Sequence, residues 1–272
     1  MHRCRCSRAL FKTLSVRKHS AREAVQVAPS WVALRRHTPA RIALGRAGFG
    51  VPTGAYLEFQ AAHARARDAV HAHFDLDAML QAIAMRGWHA IGVASAAPDR
   101  QAFLRMPHLG RTLAAKSRAR LSPPLVAPDV AIIIGDGLSS VAVERHAVPV
   151  IELLCARLVG MELRFVPIVV AKEARVALAD DIGELLQAKV AVMMVGERPG
   201  LSAADSLGIY LTFAPRRGRL DSERNCISNI HGLGMSAGDA ATRAVDLISK
   251  MLTHQASGVL LATRMQACPK TA

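Results

Sequence analysis

The chain is 272 residues long, 51% apolar and 21% charged, with few aromatics. That is enough to bury a sizeable core in one large domain or two smaller ones, and the longest apolar runs, residues 130–134 and 190–195, are far too short to cross a bilayer. The net charge of +14 lies wholly in the first 120 residues, because 15 Lys/Arg and 15 Asp/Glu cancel from residue 121 onward.

Most of the positive excess precedes Pro52. A basic arm raises nucleic-acid binding, yet this one carries almost no interleaved aromatics and no reader motif, so docking onto an acidic partner or plain disorder is the expectation. Residues 1–22 are Arg-rich with no acid before Glu23, in the manner of a transit peptide. An over-extended amino terminus has the same composition and is the reading preferred. Residues 1–38 are therefore set apart as a basic, disordered arm.

The next stretch, residues 39–127, reads as a small helical domain. Thr53 can cap a helix through about His71, and Asp75 a second one ending at Gly87. Residues 88–95 are short, apolar and extended. Asp99 caps a helix carrying Phe103 and Leu104, which Pro107 stops. Residues 109–121 continue as a basic amphipathic segment. Pro123, Pro124 and Pro128 then mark a boundary.

Beyond it, in residues 128–272, the rhythm changes. Residues 130–134 form a β-branched run without polar alternation, as a strand covered on both faces requires. A helix with Ser139 or Ser140 near its start follows, then another over about 150–160, and strands at 165–170, 190–195 and 209–213. Asp180 caps a helix through Leu186, and Ser236 opens a closing helix to about Thr253. Strands alternating with helices at these lengths predict an α/β fold: a Rossmann-like, mostly parallel, helix-covered sheet behind the helical amino-terminal part.

Ligands of such sheets bind at the carboxyl ends of the strands. Here those ends are Gly135-Asp136-Gly137, the loop at Arg175-Val176, the loop at Glu197, and the region after Phe213 leading to Cys226. Residues 223–231 are read as loop. Four chemically unusual loops would thus share one rim.

Individual chemistries are weak. Gly135-Asp136-Gly137 lacks a third glycine, and Asp136 would repel a pyrophosphate, so a tight turn with Asp136 bonding loop amides is preferred to a nicotinamide site. Cys226 with His231 could be a nucleophile and base, Cys226 a packed small side chain, or a ligand contact. Glu197 beside Arg198 could serve acid–base chemistry or form a local ion pair. Asp180-Asp181 reads as a helix cap. The histidines His63, His71, His73, His108 and His146 show no metal spacing. The five cysteines, at 4, 6, 155, 226 and 268, form neither a disulfide framework nor a zinc site, and a reducing, cytosolic compartment fits them. With no complete catalytic constellation, the chain reads as half of a site whose chemistry is done elsewhere.

The motifs Gly45-Arg46-Ala47-Gly48, Leu109-Gly110-Arg111, Asp136-Gly137-Leu138-Ser139, Val195-Gly196-Glu197-Arg198-Pro199-Gly200-Leu201 and Arg224 with Cys226-Ile227-Ser228-Asn229-Ile230-His231 resemble the small (light) subunit of ethanolamine ammonia-lyase, over about residues 41–261. The resemblance implies an adenosylcobalamin-dependent lyase converting ethanolamine to acetaldehyde and ammonia. In it a large barrel subunit holds ethanolamine and the radical chemistry, and the small subunit closes over the corrin and its nucleotide tail. It implies cobalamin contacts at Val176, Glu197 and Cys226, no catalytic residue and no metal ligand in this chain, and a bacterial microcompartment as a possible destination. No Asp-x-His-x-x-Gly occurs, in keeping with base-on cofactor binding. Met106-Pro107-His108 replaces the family's Arg-Pro-Asp, and the loop before Cys226 differs in length. The alternative is a corrinoid- or nucleotide-binding module without a catalytic partner.

Overall fold

A computed structural model describes residues 29–165 and 167–267; the expectations for residues 1–28 lie outside them. The described chain divides into two compact units, one ending at Leu57 and one beginning at Glu58. In the first, α1 (Pro29–Leu34) runs into a 3-10 turn at Arg35–His37. A tight turn closed by backbone bonds between Ala47 and Gly50 follows, with Gly48 at φ +60°.

Helix α2 spans Thr53–His71 and α3 Leu76–Ala84, the latter capped by Asp75, whose side chain accepts the Ala78 amide at 2.9 Å. Strand β1 (Ala90–Ala94), α4 (Arg100–Arg105, capped by Asp99) and α5 (Ala115–Arg118) follow. These caps fall where Asp precedes an apolar repeat, because its carboxylate satisfies an amide that the first helical turn leaves free.

Next come β2 (Val130–Gly135), α6 (Ser140–Gly160), β3 (Ile168–Lys172), α7 (Leu178–Leu185) and β4 (Val190–Gly196). Strands β5 (Leu207–Phe213) and β6 (Arg224–Ile230) lead to α8 (Ala237–His254) and α9 (Gly258–Ala267). Helix α6 is one helix where two were expected. Pro149 lies on its exposed side, so the carbonyl that loses its amide partner faces water and the helix continues.

The six strands lie in the order β1-β3-β2-β4-β5-β6. The α/β class is as expected, but the sheet is mixed rather than mostly parallel: the pairings among β1, β3, β2 and β4 are parallel, and β4–β5 and β5–β6 are antiparallel. The reason is connection length. A parallel return needs a crossover of a dozen residues or more, and the segment between Gly196 and Leu207 is too short and carries no helix. Strand β1 falls within residues 88–95, which were expected to be extended, but it joins this sheet and so ties the part expected as a separate helical domain to the rest.

Residues 223–231, expected as a loop, are mostly edge strand β6. A register shift against β5 inserts one residue, with Asn229 at φ +62°, so that both Ile227 and Ile230 turn into the core. The polar Asn225 before them, and Ser228 and Asn229 between them, obscure the strand in the sequence.

One sheet face is covered by α6 and α8, which bury Ile132, Ile134, Val192, Ile209 and Leu211. The other is covered by α7 over β2, β3 and β4, burying Ile133, Val169, Ala191 and Met193. Helix α7 does not extend over β5 and β6, whose face carries Tyr210, Cys226 and Ser228. That half-covered face is where the functional residues gather.

Candidate functional site

Strand order reverses around β2: the chain moves from β2 to β3 on one side and returns to β4 on the other. Loops after β2, β3 and β4 therefore converge at one crevice. They pack tightly. The Leu138 amide donates to the Gly196 carbonyl at 2.9 Å, and the Ser139 hydroxyl to the Ala204 carbonyl at 2.8 Å. A Cβ on Gly137, itself at φ +59°, would lie 2.2 Å from the Gly196 oxygen.

Glu197 leaves β4 with its amide donating to the Ser206 carbonyl (2.9 Å) and one carboxylate oxygen, Oε2, accepting the Ser206 hydroxyl (2.7 Å). A Cβ on Gly208 would come within 2.8 Å of its Oε1, so this glycine leaves room for the carboxylate. No ion pair to Arg198 forms among the described residues, against the local-pair reading. Val176 sits in the loop after β3, half-buried.

Cys226 does not come from a rim loop. Phe213 pairs with Val190 at the opposite end of the sheet, while Cys226 pairs with Tyr210, which pairs with Met193 in mid-sheet. It is therefore presented from the open face of β6. A hollow of about 400 Å³ contains Val176, Tyr210 and Cys226, and an adjoining one of about 380 Å³ contains Val176, Glu197 and Tyr210. The three expected residues are thus brought together around Tyr210, which sequence reasoning missed. An aromatic alternating with Gly208 and Thr212 on a strand was the available signal.

Burial, the Cys226 thiol beside it and the Glu197 charge push the Tyr210 hydroxyl well above its usual range, so it remains a neutral group. Burial also raises the Cys226 thiol, offset in part by the Tyr210 bond and reinforced by Glu197. Cys226 is thus a thiol rather than a nucleophilic thiolate at neutral pH. His231 lies just past the end of β6, where its Nδ1 accepts the Leu233 amide at 3.3 Å. No hydrogen bond joins it to Cys226 among the described residues, so the nucleophile–base reading finds no support.

Asp180 and Asp181 do not cap α7, whose N-cap is Ala177. They stand in the first turn of α7, almost wholly buried. Asp180 meets Arg224 at 2.6 Å, and Arg224 also donates to Thr212 Oγ1 (3.2 Å) and the Arg219 carbonyl (2.8 Å). This pair ties α7 to the strand bearing Cys226. Asp181 is held by Arg118, by both Nε and Nη2 of Arg217 (2.9 and 2.8 Å) and by the Leu113 amide (2.9 Å). Burial opposes ionisation of Asp181, but these donors outweigh it and hold its carboxyl below the usual range.

Asp136 bonds the neighbouring loop, as the turn reading expected: its Oδ1 accepts the Ala174 amide at 2.9 Å. Its Oδ2 lies 3.3 Å from Arg100 Nη1, which also reaches Glu173 at 3.1 Å and the Gly137 carbonyl at 2.8 Å. Burial raises the Asp136 carboxyl to about 6, with Glu173 adding and the Ala174 amide and Arg100 opposing. A carboxyl raised on folding contributes stability that is full below its unfolded value of 3.8 and lost as pH rises through about 6. Asp136→Asn is expected to abolish that slope, worth roughly 3 kcal/mol between about pH 4 and about pH 6 at ~1.4 kcal/mol per unit. Denaturant unfolding of both proteins across this window tests it, and parallel curves would contradict it.

Among the described residues no cluster of His, Cys, Asp and Glu could hold a metal ion, and no helix is long and apolar enough to cross a membrane. Fold and site together define an α/β chain presenting a concave, half-covered sheet face, rich in binding groups and poor in reactive ones. The family model for the ethanolamine ammonia-lyase light chain matches residues 28–262. Similar chains include ethanolamine ammonia-lyase small subunits from Azotobacter vinelandii (strain DJ; 47% identical over 235 residues, 85% of this chain and 87% of that one) and Pseudomonas aeruginosa (strain LESB58; 47%, 85% and 86%). Another is from Pseudomonas syringae pv. tomato (strain DC3000), 47% identical over 240 residues, 87% of this chain and 84% of that one. The chain belongs to the ethanolamine ammonia-lyase light-chain family.

Proposed function

We propose that this chain is the small subunit of an adenosylcobalamin-dependent ethanolamine ammonia-lyase and forms one wall of the cofactor cavity, the large subunit forming the other. The observation that carries the reading is the gathering of Val176, Glu197 and Cys226 around Tyr210 on the uncovered half of the sheet. The relatives' naming as small subunits supports a hetero-oligomer with a larger chain.

The residues fit such a ligand. A corrin offers an apolar edge fringed with amides, and its tail a ribose, a phosphate and a base. Val176 supplies van der Waals contact, and Tyr210 a flat apolar surface. Glu197 Oε1, which accepts no bond among the described residues, can take an amide or hydroxyl proton. Cys226 adds a small polarisable contact. Either hollow is far smaller than a corrinoid with its tail, as one wall of a shared cavity should be.

Bound adenosylcobalamin supplies the radical chemistry that carries ethanolamine to acetaldehyde and ammonia. This chain's residues bind and orient the cofactor and exclude water from it; ethanolamine and the reacting groups belong to the large subunit. The division into an arm (1–38), a middle segment (39–127) and a Rossmann-like cofactor-contacting domain (128–272) is part of the same proposal, with β1 as the strand that the middle segment lends to the sheet. A cytosolic setting, in or out of a microcompartment, belongs to it too.

The test is cobalamin retention after co-expression with the large subunit. Glu197→Ala is expected to weaken retention about tenfold, the scale of one hydrogen bond to a charged group. Equal retention by wild type and variant would remove Glu197 from the wall.

A further inference from the structure

The arginines of this face divide sharply. Arg100, Arg118, Arg217, Arg219 and Arg224 each end on a carboxylate. Arg111, Arg175 and Arg198 have no carboxylate partner among the described residues, and all three border the two hollows, Arg175 belonging to both.

Arg175 is the centre of this group. Its amide donates to the Gly110 carbonyl at 2.8 Å, which fixes the Arg111 turn beside it. Its guanidinium lies 4.2 Å over the Phe103 ring and donates through Nη2 to the Phe103 carbonyl at 3.2 Å, while Nε is buried without a partner. Burial first, and then the charges of Arg100, Arg111 and Arg198, disfavour the charged form of Arg175. The carboxylates that border the two hollows, Glu197 and Asp221, are already engaged by Ser206 and Arg224. An oxyanion in the hollow would relieve the repulsion, and guanidinium forks match phosphate oxygens in geometry. The concave setting favours a small anionic group over an acidic protein surface.

We propose that Arg111, Arg175 and Arg198 form a phosphate subsite on this wall, which holds the phosphodiester of the cofactor's nucleotide tail; this rests on the reading of the face as a cobalamin wall. The shared chemistry is a phosphate oxyanion, and inorganic phosphate is its other source.

The complex of full chain and large subunit is dialysed against cyanocobalamin, or against cobinamide, which lacks the nucleotide tail and its phosphate. Arg111→Gln, Arg175→Gln and Arg198→Gln are compared with wild type. Each variant is expected to weaken cyanocobalamin about tenfold and to leave cobinamide unchanged. Inorganic phosphate should compete with cyanocobalamin alone. Arg175 packs on Phe103 and could unsettle the fold, but Arg111 and Arg198 are exposed, so their variants keep the test decisive.

Equal loss of both corrinoids, or loss of neither, overturns the subsite. So does impaired assembly with unchanged corrinoid affinity in the complex that forms, which would assign these arginines to an acidic surface of the large subunit. If wild type binds neither corrinoid, the cobalamin reading has failed on its own. Phosphorus NMR of inorganic phosphate with the full chain then decides: broadening abolished by the variants retains the subsite with free phosphate as its source, and unbroadened phosphate overturns it.

Discussion

Arg224→Ala is expected to destabilise the chain by about 3–5 kcal/mol, because it leaves the Asp180 carboxylate buried without a counter-charge. Both side chains are at most 3% exposed, so solvent cannot take over the lost role. Burial already pushes the Asp180 carboxyl up against the pull of Arg224, and removing Arg224 leaves only the weaker pull of Arg219 to oppose it. For a unit of this size the loss corresponds to a fall in Tm of roughly 10 °C. Because the pair joins α7 to β6, the variant should also loosen Cys226 relative to Val176. A double variant, Asp180→Leu with Arg224→Met, should recover much of the stability by removing both charges together. Thermal and denaturant unfolding of the three proteins measure this. A single variant within about 1 kcal/mol of wild type, the worth of an exposed pair, would mean that the bridge is not buried in solution.

Gly196→Ala is expected to cost about 1–3 kcal/mol or more and to damage the site as well as the fold. Its Cβ would stand 2.0 Å from the Ser139 oxygen and 2.6 Å from that of Asp136, and both are backbone atoms. They cannot swing aside as a side-chain tip can. The turns after β2 and β4 must part, and Glu197, the next residue, moves with them. Gly200→Ala in the same loop is the control, since its Cβ would meet nothing closer than 3.4 Å. Unfolding and cobalamin retention should both fall for Gly196→Ala and hold for Gly200→Ala. Equal behaviour of the two would contradict the packing described at the crevice.

Much of this was legible in the residues. Uninterrupted apolar runs marked β2 and β4, and Asp75, Asp99, Ser139 and Ser236 marked helix starts because each is a short acceptor ahead of a periodic apolar stretch. Three of the four expected loops do meet at the reversal around β2. What stayed hidden was long-range. Nothing local in residues 197–206 says that the next strand runs antiparallel, and the bulge at Asn229 breaks the two-residue alternation that would have revealed β6. Asp180 looked like a helix cap because its partner, Arg224, is 44 residues away in sequence. Tyr210 was hidden for the same reason: its importance comes from Cys226 across the strand pair.

Hydrogen exchange on the assembled pair, with and without adenosylcobalamin, tests most directly whether this chain walls the cofactor. Slowed exchange confined to residues 174–177, 196–198, 208–212 and 224–229, and only when large subunit and cofactor are both present, is the expected result. Exchange in those segments that the cofactor leaves unaltered, while the complex binds it fully, would contradict it.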